Sequence, residues 1–131
     1  MFIQSGVIPY RCRQGEVEVL LITTRKRKRW IIPKGVVEPA LSPADSAAKE
    51  AWEEAGILGR VIQPSLGAYH YDKWGGTCQV EVFLLQVETA LESWPEVWRD
   101  RQWLSLEEAA NRVDETELKQ MILAVPGLLK R

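Results

Sequence analysis

KEAWEEAGI, residues 49–57, gathers Glu50, Glu53 and Glu54 just ahead of Gly56. Positions i, i+3 and i+4 are neighbours on a helix, so the three carboxylates share one face. Like charges at that spacing destabilise an isolated helix by a few tenths of a kcal/mol per pair, and Lys49 offsets part of this through Glu53. The stretch is either a solvated helix face or an oxygen cage for a hard cation such as Mg²⁺ or Mn²⁺. The preceding residues strengthen the helix. Ser42 is an N-cap, Pro43 stands at the first helical position, and Asp45 suits the N-terminal dipole. Ala44, Ala47, Ala48, Ala51 and Ala55 favour helix, and Gly56 is a C-cap glycine, which sets a helix over 43–55.

Upstream, residues 25–34 carry six of the 17 basic residues: Arg25, Lys26, Arg27, Lys28, Arg29 and Lys34. From Glu38 to Glu54 there are five acids and one base. A basic arm beside a carboxylate helix, joined by the Gly-bounded loop KGVVEP, makes a site for a polyphosphate. The net charge of −1 gives no support for general nucleic-acid binding.

A chain of 131 residues suits a single domain over 1–131. Strands are expected at 2–10, 17–24, 30–33, 60–71 with an interruption at Pro64, 77–88 and 101–104. In the 77–88 run, Cys78, Val80, Val82 and Leu84 share one face; Thr77, Gln79, Glu81 and Phe83 share the other. Ser105 caps a second helix, and a third covers about 115–125, ended by Pro126-Gly127. Mixed strands and helices imply an α/β or α+β layer fold. Cys12 and Cys78 are expected as two buried thiols, and with His70 alone they make no zinc site. No basic segment followed by a long apolar run opens the chain, and no stretch approaches the ~20 apolar residues of a membrane span. A cytoplasmic protein is the expectation.

Residues 35–57, GVVEPALSPADSAAKEAWEEAGI, resemble the Nudix box, G-x5-E-x7-R-E-U-x-E-E-x-G-U with U apolar. Gly35, Glu50, Glu53, Glu54, Gly56 and Ile57 match in register, with Ala51 as a small apolar residue. Leu41 stands where the box has Glu, and Lys49 where it has Arg. Glu38, in the same loop, is the candidate to stand in for the former. Beyond the box, WIIPKGVVEP, ALESWPE and RQWLSLEEA resemble the branch that hydrolyses diphosphoinositol polyphosphates and diadenosine polyphosphates.

The resemblance implies a Nudix fold, a mixed β-sheet sandwiched between helices. It assigns Glu50, Glu53, Glu54 and the Gly35 carbonyl to Mg²⁺ or Mn²⁺, with Lys49 orienting a glutamate and Glu54 chosen as the general base. Arg25, Arg29 and Lys34 are the candidate phosphate contacts. Glu81 is either a further metal ligand or a surface charge. Tyr69, Tyr71 and Trp74 either stack a base or pack in the core. His70 and Trp103 are read as structural. The implied activity is hydrolysis of a diphosphate linkage in a small phosphate-rich molecule, by a monomer or homodimer. Two alternatives stay open: a Nudix-fold sensor that binds without hydrolysing, and removal of 5′ pyrophosphate from RNA.

Overall fold

The two long apolar runs near the N-terminus alternate in side-chain direction, and each finds a covering layer on both faces. The computed structural model describes residues 1–27 and 29–129. Lys28, a member of the basic run, lies outside the described residues. Strands β1 (Phe2–Arg13), β2 (Glu16–Thr23), β3 (Trp30–Ile31), β4 (Lys34–Val36), β5 (Ile57–Lys73), β6 (Gly76–Ala90) and β7 (Arg101–Ser105) form one seven-stranded sheet. Its order is β3-β2-β1-β6-β5, with β4 also on β1 and β7 also on β2. The β1–β6 pair is parallel and the others are antiparallel, so the sheet is mixed. Helix α1 (Pro43–Ala55) covers one face; α2 (Leu106–Arg112) and α3 (Thr116–Leu129) cover the other.

The two faces follow from the period of 2 in the strands. Val7, Leu20, Ile22, Phe83 and Leu85 point at α1, which meets them with Ala44, Ala47, Ala51 and Ala55. Alanines let the helix approach the sheet closely. Ile8, Tyr10, Val19, Leu21, Val80, Val82 and Leu84 point at α2 and α3. Burying each of the larger side chains contributes about 2 kcal/mol.

The edge of β1 shapes the functional region. Its C-terminal half pairs with β2 (Tyr10↔Val19 to Arg13↔Glu16), and its N-terminal half pairs with β4 on the same edge (Gln4↔Val36 to Gly6↔Lys34). The neighbouring strand is therefore exchanged midway, and a cleft opens between them.

The α1 limits agree with the sequence expectation. Ser42 Oγ accepts from the Asp45 N–H at 3.1 Å. Gly56 closes the helix at φ 65°, ψ 33°, donating its N–H to Trp52 O at 3.0 Å. A Cβ there would lie 2.6 Å from the Trp94 ring. Gly56→Ala combines a left-handed backbone with that overlap and is expected to cost about 3 kcal/mol in urea unfolding. A loss below about 0.5 kcal/mol would show that Trp94 does not seat on this glycine.

Several expectations are corrected. KGVVEP contains a strand, because Lys34–Val36 finds the free edge of β1. On the face of 77–88 that holds Thr77, Gln79, Glu81 and Phe83, Phe83 is 3% exposed beneath α1, and Glu81 is partly buried. The third helix passes through Pro126 to Leu129, since Leu129 packs on the core under α2 and α3 and Leu128 lines the apolar groove beside it. Cys12 is exposed because β1 runs on into a hairpin tip; Cys78 is buried as expected. Among the described residues, no helix is long and apolar enough to cross a membrane.

Candidate active site

The last turn of α1 delivers Glu54 to the floor of the cleft. Glu54 is 9% exposed. Its Oε1 accepts the Lys34 N–H at 3.0 Å, and its Oε2 lies 3.8 Å from Arg99 Nη2. Burial pushes its pKa up to about 8, against the pull of the Lys34 N–H and Arg99; Glu50 and Glu96 push it further up. Burial, with Glu53 nearby, also raises the Glu50 pKa. Glu53 sits 3.3 Å from Lys49 Nζ, which also reaches Glu38 at 2.5 Å. These hydrogen bonds, that to Glu38 foremost, raise the Lys49 pKa. Lys49 therefore bridges two glutamates, and Glu38 faces Lys49.

Gly35 lies against Glu50. A Cβ at Gly35 would overlap the Glu50 carboxylate, so only glycine leaves room for that carboxylate beside the β4 backbone. An all-oxygen donor set beside an open backbone, with the Glu50 and Glu54 carboxyls both driven up in pKa chiefly by burial, fits a hard divalent cation. Among the described residues, however, no three His, Cys, Asp or Glu side chains are gathered in ligating positions. Glu53 is turned to Lys49, and Glu54 to Lys34 and Arg99.

Beyond Glu54 the cleft has a volume of about 390 Å³. Arg25, Arg29, Lys34, Lys73 and Arg99 bring positive charge to it, and Asp72 and Glu115 bring negative charge. Lys34 Nζ donates to Tyr71 Oη at 3.0 Å, and Tyr71 donates to the buried Gln4 Oε1 at 2.6 Å. Burial lowers the Lys34 pKa. The Arg25 and Arg99 guanidiniums lie 4.7 Å and 4.4 Å from the Trp98 ring centroid.

The segment after β6 holds this arrangement in place. Trp94 Nε1 donates to Glu54 O at 3.1 Å, and the Glu96 N–H donates to Glu53 O at 2.9 Å. Arg101 donates to Ala55 O at 2.8 Å and to Leu91 O. Carbonyls at the end of α1 that its own ladder leaves free are thus satisfied by the segment from Trp94 to the start of β7. Arg99 donates to Glu96 at 2.9 Å and to Thr23 O at 2.8 Å, which ties the cleft wall to β2.

The structure thus brings Arg25, Arg29, Lys34 and Glu54 together around one cleft, with Glu50, Gly35, Glu53 and Lys49 adjoining it. Arg27 turns away, to Trp98 O and Asp100. Tyr69 is buried and stacks on Tyr71 with ring centroids 6.3 Å apart; Trp74 is exposed at a hairpin tip against Phe2. His70 contacts Glu117 and Gln79. Trp103 is partly buried under Arg11. Sequence reasoning missed Arg99, Gln4 and Glu115. Gln4, a glutamine in an apolar strand, carried a signal; the other two sit in irregular segments with no periodicity to mark them.

A NUDIX domain model matches residues 3–124. Nudix hydrolase 21, chloroplastic, of Arabidopsis thaliana is 36% identical over 126 residues, 91% of this chain and 63% of that protein. Diphosphoinositol polyphosphate phosphohydrolase 2 of Rattus norvegicus is 32% identical over 109 residues, 81% of this chain and 59% of that protein. This chain thus spans about three-fifths of the length of these curated relatives. The fold is shared with the C. elegans Ap4A hydrolase at a TM-score of 0.83 and 22% identity, over 98% of each chain. The model match covers most of the chain, and the chain belongs to the Nudix domain family.

Proposed function

We propose that residues 1–131 form a single pyrophosphohydrolase domain that uses Mg²⁺ or Mn²⁺ to cleave a diphosphate linkage in a small phosphate-rich molecule. The observation that carries this reading is the position of Glu54: a buried carboxylate on the floor of a cleft walled by Arg25, Arg29, Lys34 and Arg99. Glu50, Glu53, Glu54 and the Gly35 carbonyl are the residues that would hold the cation. When bound, it neutralises the diphosphate and makes water easier to deprotonate.

The chain's own residues supply the rest. Arg25, Arg29 and Lys34 bind and orient the phosphates, with Lys34 steadied by Tyr71 and Gln4. Glu54, its Oε1 accepting the Lys34 N–H and its Oε2 3.8 Å from Arg99, is the carboxylate that would take the proton of the attacking water. The raised Glu54 pKa would fall beside a divalent cation, which would leave this carboxylate ionised at neutral pH. Lys49 holds Glu53 and Glu38 in place.

The names of the relatives point to two substrate types, diphosphoinositol polyphosphates and diadenosine tetraphosphate. The test is product release from both, from nucleoside triphosphates, from nucleotide sugars and from a 5′-triphosphorylated RNA, with Mg²⁺, with Mn²⁺ and with chelator. Release from at least one small molecule, with metal only, is expected. Release from the RNA alone would move the activity to RNA 5′ ends. A second reading, a sensor that binds without hydrolysing, draws on the turned-away Glu53 and on Leu41 at a box glutamate position. Tight binding of a panel member with no release would favour it.

A further inference from the structure

Ser5 lies in β1 at 0% exposure, and its Oγ has no hydrogen-bond partner among the described residues. An unpaired buried hydroxyl costs about 1–3 kcal/mol, so a donor or acceptor left alone in a close-packed layer calls for a partner. Its position in the sheet identifies the partner.

Ser5 is in register with Gly35 on one side and Glu81 on the other. Residues in register on adjacent strands project from the same face. That face is the one covered by α1, since Val7 and Phe83, two residues further along the same strands, pack against its alanines. Adjacent strands are about 4.8 Å apart. At Gly35 the space a Cβ would fill is taken by the Glu50 carboxylate. Ser5 therefore stands one strand spacing from the Glu50 carboxylate and one from the base of Glu81. A glutamate side chain spans most of such a spacing, so both acids have reach to the Ser5 hydroxyl.

We propose that Ser5 and Glu81 extend the Glu50 cation site across the sheet, the Ser5 hydroxyl and the Glu81 carboxylate joining Glu50 and the Gly35 carbonyl as oxygen ligands for a divalent cation. This rests on the metal dependence proposed above. It gives the orphaned hydroxyl an acceptor role and gives the partly buried Glu81 a counter-charge. The donors are two carboxylates, a hydroxyl and a carbonyl, a hard oxygen set of the kind Mg²⁺ and Mn²⁺ take.

The experiment is Mn²⁺ binding to the whole chain, followed by electron paramagnetic resonance and by the rise in melting temperature on adding metal. The variants are Glu81→Gln, Ser5→Ala and, as a reference, Glu50→Gln. Each of the first two is expected to weaken Mn²⁺ about tenfold or remove one equivalent of it. Ser5→Ala is also expected to melt higher than wild type in chelator and to gain less from Mn²⁺. A merely structural serine would change the melting temperature without changing the gain from metal. If Glu50→Gln weakens Mn²⁺ while Glu81→Gln and Ser5→Ala bind as wild type, this inference is overturned and the metal reading stands. If Glu50→Gln also binds as wild type, the metal reading itself fails.

Discussion

Glu54→Gln is expected to lower turnover about a thousandfold, the range for removing a general base. In chelator at pH 8 it is also expected to raise folding stability by about 4 kcal/mol. Both effects come from one cause. Burial holds the Glu54 pKa at about 8, well above its ordinary value of 4.5. Between those two pH values the folded chain binds a proton that the unfolded chain has released. Wild-type stability therefore falls as pH rises through this window, and below it the residue contributes nothing either way. Gln carries no charge to desolvate and still offers an oxygen to the Lys34 N–H. The two unfolding curves should coincide at pH 4 and separate steadily up to pH 8. Adding Mg²⁺ should narrow the gap, because it stabilises the wild type more than Glu54→Gln, which lacks one carboxylate of the cation site. Parallel curves across the whole range would mean that the Glu54 carboxylate is not desolvated in the folded protein.

Gly35→Ala is the second large effect, and it acts through space rather than through backbone conformation. The added methyl would coincide with the Glu50 carboxylate, so Glu50 must swing away or β4 must part from α1. The β1–β4 backbone pairing does not involve the methyl, so the fold is expected to survive with a loss of about 1–3 kcal/mol. Mn²⁺ affinity is expected to fall tenfold or more, and turnover with it, because the Glu50 carboxylate on α1 is displaced from the cation site. Isothermal titration of folded Gly35→Ala measures this. Affinity within twofold of wild type would remove Glu50 and Gly35 from the cation site.

Much of this site was legible in the chain because local rules govern it. Ser42, Pro43 and Gly56 set the helix limits, and the 3.6-residue period placed Glu50, Glu53 and Glu54 on one side of it. The mixed sheet between helices followed from the motif and from the strand signals. Long-range pairing decides the rest. The strand character of Lys34–Val36 depends on the free edge of β1, some thirty residues earlier in the chain. The burial of Glu81 depends on which face α1 covers, which alternation alone leaves open. Arg99 reaches Glu54 across 45 positions of sequence from an irregular segment with no period to read. Pro126 has the opposite lesson: a local breaker was overridden because the leucines beyond it pack on α2 and α3's side of the core and line its groove.

In the proposed reaction, water deprotonated at Glu54 cleaves a diphosphate linkage in this cleft with help from a divalent cation. Its most direct test is cleavage of a diadenosine polyphosphate or a diphosphoinositol polyphosphate in oxygen-18 water, with Mg²⁺ and with chelator, followed by mass spectrometry of the products. One solvent oxygen is expected in a product phosphoryl group for each linkage cleaved, with Mg²⁺ only, and near-complete loss in Glu54→Gln. Substrate that binds with Mg²⁺ present yet yields no labelled product would contradict it and leave a binding module in its place.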